Sequence, residues 1–287
     1  MQEEICIIKI YHAARHKIKI MKIVTAGLLL LAAFSIGLLS FKNTTKKETK
    51  TFVLVHGAWQ APYAWQNVKQ QLESKGDKVI VVELPGHGDD QTSPAQLSMD
   101  VYRDKVVDAI NTVDGKVILV GHSMGGMVVS AVSEKIPEKI SKLVYIGAFV
   151  PGNGQSLLEL SMMDKQSLLG ASLVPSQDQL TLDVKKENVI NIFCQDASKD
   201  EQEMVMKNYR AEPAIPFTNK VAVTNANFGS VDKYYIHTTQ DHAVGMDLQN
   251  QMVKTANIKN VYSLNSGHCP FISQPKEVTK LLLKIAE

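Results

Sequence analysis

Past residue 50 the chain alternates between short apolar runs and longer amphipathic stretches. The apolar runs are 52–55, 79–84, 117–120, 143–146, 234–237 and 261–264. Several are β-branched and continuous rather than alternating, which predicts parallel strands buried on both faces. Between them, 64–75, 99–112, 124–136, 246–256 and 276–286 have helical length and a single apolar face. Strand–helix alternation predicts an α/β fold built on a doubly wound, mostly parallel sheet. Pro137 and Pro275 fall near the predicted helix boundaries, where proline is tolerated.

Residues 151–216 break this rhythm. The stretch is rich in Met, Leu, Ser and Gln, shows no clear strand, and gives way to the sheet pattern only near residue 220. A long insertion between strands of an α/β unit commonly forms a lid, so a mainly helical cap is expected over about 151–216. The predicted organisation is a leader over 1–42, a polar linker over 43–50, and one α/β domain over 51–287.

The leader carries its own pattern. Residues 23–41 hold no charge, follow Lys17, Lys19 and Lys22, and precede Lys42, Lys46 and Lys47. A basic segment followed by an apolar run has the form of a secretory signal, and its length also reaches that of a minimal membrane span. Small residues Ser35 and Gly37 stand at cleavage-like offsets without a clear A-x-A motif, and no cysteine follows for lipid attachment. The expectation is export to the periplasm or outside the cell, with the N-terminus meeting the export machinery or the membrane. Cleavage as a signal peptide and retention as a membrane anchor both stay open, as does a start at Met21.

Composition narrows the function classes. Of 287 residues 45% are hydrophobic, in keeping with a globular core, and 31 basic residues against 29 acidic ones give a net charge of +2. Such a balance offers no basic face for nucleic acid. Three cysteines (Cys6, Cys194 and Cys269) allow at most one disulfide in the domain, and no CxxC or HExxH spacing suggests a metal.

The chemistry is concentrated in three loops, each predicted to follow a strand. Gly121-His122-Ser123-Met124-Gly125 sits between the run VILV and a helical stretch, the setting that G-x-S-x-G requires to project a nucleophilic serine above a sheet. A serine hydroxyl is a poor nucleophile near neutral pH and needs a base. In this arrangement acid and base follow the serine along the chain. Asp241, in TTQDHAV, and His268, in NSGHCPF, follow the strands YYIHT and VYSL in that order. His268 is expected to take the Ser123 proton and Asp241 to orient its ring. Asp247 is the alternative acid, and Asp241 alternatively a turn or cap residue. For the oxyanion, the backbone N–H of Met124 and that of Ala58, in the loop after the first strand, are the expected donors. His56, His87 and His122 read as backbone-bonding loop histidines. Trp59, Trp65, Met162 and Met163 suit a pocket or a packed lid equally, and Cys269 reads as an inert thiol.

These motifs, with FVLVHGAW and ELPGHG before them, resemble the α/β-hydrolase superfamily over about 51–287. More narrowly, the chain is similar to the branch of plant methyl esterases, hydroxynitrile lyases and related bacterial esterases. The resemblance implies a cofactor-free enzyme with a helical cap, acting on small-molecule esters. The lyases of that branch carry a lysine directly after the triad histidine. Cys269 stands there in this chain, which argues against lyase activity. Two other readings remain at this stage: a small-molecule receptor on a hydrolase fold, and a serine hydrolase acting on lactone, amide or carbon–carbon bonds.

Overall fold

The computed structural model describes residue 7, residues 9–25 and residues 48–287. The chain divides into two units, Met1–Glu48 and Thr49–Glu287. In the first, residues 9–25 are helical and carry exposed Ile10, Tyr11, Ile18 and Ile20. The expected signal or anchor segment lies largely outside the described residues, from 26 onward. Among the described residues no helix is long and apolar enough to cross a membrane.

The second unit contains eleven strands: β1 Thr51–Val55, β2 Lys78–Val82, β3 Val117–His122, β4 Ile140–Ile146, β5 Gln155–Ser156, β6 Leu173–Pro175, β7 Thr181–Val184, β8 Glu212–Pro213, β9 Lys220–Val221, β10 Lys233–Thr238 and β11 Asn260–Leu264. Six of them form the central sheet in the order β11-β10-β4-β3-β1-β2, and every pairing is parallel. All six predicted apolar runs fall on these strands, the run 79–84 continuing past the end of β2 at Val82. Burial explains why their patterns differ. Central β3 is buried at every position, hence the unbroken VILV, whereas edge strands β2 and β11 are partly exposed and carry Lys78 and Asn260.

The principal flanking helices are α1 Gln66–Glu73, α2 Met99–Asn111, α3 Gly125–Lys135, α8 Met246–Thr255 and α10 Pro275–Ala286. Helices α1 and α10 pack together, as do α2 and α3. The predicted helix 64–75 is divided, with a 3₁₀ turn at Pro62–Trp65 leading into α1. Ser98 caps α2 by accepting the Val101 N–H, a contact typically worth about 1 kcal/mol. Pro275 opens α10, where its missing N–H costs nothing.

The insertion departs from expectation in one respect. It holds short helices α4 Leu157–Ser161, α5 Val189–Phe193, α6 Lys199–Asn208 and α7 Ile215–Thr218, as a mainly helical cap should. It also contains strands: β6, β7 and β8 form a three-stranded antiparallel sheet, and β5 pairs with β9, which lies just past the insertion. These strands are two to four residues long, too short for apolar alternation to be recognised, and Pro175 and Pro213 mask them further. One more short helix, α9 Pro270–Ser273, follows the histidine loop.

Candidate active site

Because the sheet is parallel, the C-terminal ends of β3, β10 and β11 lie on one edge and carry Ser123, Asp241 and His268 to it. The serine turn is tight. Ser123 adopts φ 51°, a left-handed conformation rare for a residue with a side chain. Its flanking glycines have no room for a side chain. A Cβ on Gly121 would lie 2.7 Å from the Gly125 carbonyl oxygen, and one on Gly125 would lie 2.7 Å from that of His56. Helix α3 starts at Gly125 and aims its N-terminus at this turn, where developing negative charge is favoured.

Asp241 and His268 are both buried, with Oδ2 and Nδ1 2.8 Å apart. The Asp241 carboxylate is saturated by donors. Thr238 Oγ1 donates to Oδ2 at 2.7 Å, and the amides of Ala243 and Val244 each donate to Oδ1 at 2.8 Å. Gln249 braces the same loop from within α8, accepting from the Thr238 amide and donating to the Thr238 and Val244 carbonyls. Gly147 leaves the space this carboxylate occupies: a Cβ there would come 2.5 Å from Thr238 Oγ1 and 3.1 Å from Asp241 Oδ2. Asp247 is exposed in the first turn of α8, away from this arrangement. With Nδ1–H given to Asp241, the His268 Nε2 lone pair is the free proton acceptor. Among the described residues no hydrogen bond joins Ser123 Oγ to His268; such contacts are often long in a free enzyme and tighten with substrate.

Ala58 and Met124, the expected oxyanion donors, and Ser123 line one cavity of about 550 Å³. Its walls are mostly apolar and come largely from the cap, including Leu157, Leu169, Leu173, Leu182 and Phe217. Trp59 and Met162 line it too. Trp65 instead stacks on Phe271 at 4.2 Å in the core, and Met163 is not part of the lining. Asp164 is the one acidic side chain in the wall, and its oxygens accept the amides of Gln166, Ser167 and Gly245. Among the described residues no group of side chains suits a metal ion.

The loop histidines differ sharply in electrostatics. His56 gives Nδ1–H to the Gly57 carbonyl and accepts the Leu84 amide, and burial lowers its pKa to about 3, helped by nearby His87. His122 bonds the His268 carbonyl at 2.9 Å, and burial holds its pKa well below the ordinary value. His87 goes the other way. Burial pulls its pKa down, but the charge and hydrogen bond of Glu212 outweigh this and raise it. Cys269 and Cys194 are buried free thiols. Burial, and then the contact with Cys194, pushes the Cys269 thiol well above its usual range, so a reactive thiolate is disfavoured.

Four residues escaped the sequence reading: Gly147, Thr238, Gln249 and Glu212. Thr238, the last residue of β10, stands three positions before Asp241 and could have been found from that spacing. Gln249 follows eight positions after Asp241, while Gly147 and Glu212 come from distant segments.

A family model described as the alpha/beta hydrolase family matches residues 52–281. “Putative methylesterase 11, chloroplastic” of Arabidopsis thaliana is 33% identical over 252 residues, which are 83% of this chain and 64% of that protein. The chain thus spans under two thirds of that relative's length. Methylesterase 9 of Arabidopsis thaliana is 27% identical over 255 residues, covering 83% of this chain and 98% of the relative. The crystal structure of polyneuridine aldehyde esterase superposes with a TM-score of 0.74 at 25% identity, over 84% of this chain and all of that one.

Proposed function

The chain belongs to the alpha/beta hydrolase family, and from that premise we propose that it is a serine hydrolase cleaving small carboxylic esters. The supporting observation is the buried pair of Asp241 and His268, 2.8 Å apart on the sheet edge that also carries the strained Ser123 turn. In this reading Ser123 Oγ attacks the ester carbonyl as His268 Nε2 takes its proton. The tetrahedral oxyanion is met by the Ala58 and Met124 N–H groups, each worth about 2.7–4 kcal/mol in the transition state. His268 then protonates the departing alcohol, leaving an acyl group on Ser123. Water, deprotonated by His268, releases the carboxylic acid and restores the serine. Asp241 holds the imidazole tautomer and stabilises the imidazolium formed in each half. No step calls for a cofactor or a metal. The similarity to methylesterases makes methyl esters with an apolar acyl group the first substrates to try, since the cavity wall is apolar.

The test is fluorophosphonate labelling of the purified chain beside turnover of a methyl-ester panel. Wild type is expected to label stoichiometrically and to hydrolyse at least one ester. Ser123→Ala should do neither, with turnover down by about 10⁶-fold. Ester hydrolysis that survives in a folded Ser123→Ala variant overturns the reading. For the leader we propose export, carried by the basic-then-apolar order of residues 17–41. Cell fractionation with N-terminal sequencing tests it, and a chain recovered intact from the cytosol refutes it.

A further inference from the structure

Both N–H groups of Trp59, the residue after Ala58, are held by the cap. Its backbone amide donates to Glu212 Oε2 at 2.7 Å, and its indole Nε1–H donates to the Leu182 carbonyl at 2.9 Å. Leu182 and Glu212 are directly opposed in the β7–β8 pair, so one rung of the cap sheet grips the tryptophan twice. Its ring packs on Phe193 and Phe217, also from the cap. Trp59 adopts φ 58°, a conformation that a bulky side chain avoids unless its surroundings impose it.

Glu212 is fully buried, and its Oε1 has no hydrogen-bond partner among the described residues. Its Oε2 also faces His87 Nε2 at 2.9 Å, while His87 Nδ1 faces the Pro85 carbonyl at 3.1 Å. Two acceptors on one ring favour the doubly protonated imidazole, which balances the buried carboxylate. Cap packing alone would be served better by an apolar side chain, because burying a carboxylate is costly. The cost falls on the one residue that reaches the amide beside a candidate oxyanion donor.

We propose that Glu212 is a positioning residue for the oxyanion hole, acting through the Trp59 amide to orient Ala58 and so tying cap seating to transition-state stabilisation. Holding the Ala58–Trp59 peptide fixes the backbone one Cα away from the Gly57–Ala58 peptide, whose N–H is to meet the oxyanion. This inference rests on the acyl-enzyme reading above.

Steady-state hydrolysis of p-nitrophenyl acetate by the full chain tests it with Glu212→Asp and Glu212→Gln, beside wild type and Ser123→Ala. Asp keeps the charge but withdraws the acceptor by one methylene. Gln keeps the acceptor in place and loses the charge. Positioning through the amide predicts that Glu212→Asp lowers kcat by about 10–100-fold with KM within about threefold, a large part of the 10²–10³-fold that one donor supplies. Glu212→Gln should stay within about tenfold of wild type. Unchanged kcat in Glu212→Asp, a loss taken up wholly in KM, or Asp outperforming Gln would each overturn the inference while leaving the triad reading intact. A wild type that neither turns over nor labels removes the triad reading itself, and this inference with it.

Discussion

The proposed acid loop and the proposed oxyanion loop are both tied by hydrogen bonds, but they are braced from opposite distances along the chain. Asp241 takes its hydrogen bonds from Thr238, Ala243 and Val244, two or three residues away. Trp59 takes its two from residues 153 and 123 positions away, both in the cap. The acid is therefore built mostly by a local turn, although Asp164 and Ser167 also tie the far side of that loop to the cap. The proposed oxyanion loop is tied to the cap through both N–H groups of Trp59. Damage to the first should disable the base; loss of the Glu212 and Leu182 grip alone should weaken transition-state binding, because other cap residues hold the base loop, Asp196 accepting the Gly267 amide and Phe193 packing on His268.

The largest expected effect is on the acid side. Asp241→Asn should leave the fold intact and lower kcat by about 10⁴-fold, because the amide favours the wrong imidazole tautomer. Steady-state kinetics beside circular dichroism would check this, and a loss under tenfold would mean the acid is supplied elsewhere. Next comes Gly147→Ala. Its Cβ would collide with Thr238 Oγ1 at 2.5 Å from a backbone at φ 47°, so a stability loss of about 1–3 kcal/mol is expected in urea unfolding. The same variant should lose activity, since the displaced hydroxyl belongs to the acid.

Thr238→Val is gentler, removing one of the donors to Asp241 at nearly constant volume. It should cost about 1–2 kcal/mol in kcat/KM, and the Glu212 variants should leave this effect unchanged. If the two effects are not additive, the loops are coupled and the contrast between them fails.

The smallest expected effect is the pH dependence of stability. His56 and His87 have ring centroids 4.9 Å apart and are shifted in opposite directions. The lowered pKa of His56 gives stability that is present above about 6.5 and lost as pH falls toward 3. The raised pKa of His87 gives stability that is full below about 6.5 and lost as pH climbs through the raised value. Unfolding midpoints should therefore decline on both sides of neutrality. In Glu212→Gln the alkaline decline should flatten while the acid limb stays. Equal alkaline limbs in both proteins would detach His87 from Glu212.

The same difference in distance explains which parts of the molecule were legible beforehand. The six central strands were readable because a strand buried on both faces needs an unbroken apolar run. The serine turn was readable because its geometry admits only glycine at 121 and 125. Asp241 and His268 could be named because a parallel sheet carries the ends of its strands to one edge. The cap strands were not readable, being two to four residues long and interrupted by proline. Glu212 looked like one more polar residue of the insertion, and Gly147 like an ordinary turn glycine after β4.

The sequence by itself determined the layered α/β architecture, the order along the chain of the candidate nucleophile, acid and base, and the existence of an inserted cap. Each of these is written in local patterns of burial and turn chemistry, which a short window of residues contains. Only the tertiary structure decided how the cap meets the sheet edge: the grip of one rung of the cap sheet on Trp59, the fit of Gly147 beneath Asp241, and the opposite shifts of His56 and His87. Those depend on contacts between segments far apart along the chain, or on how deeply a group is buried, and no local pattern specifies either.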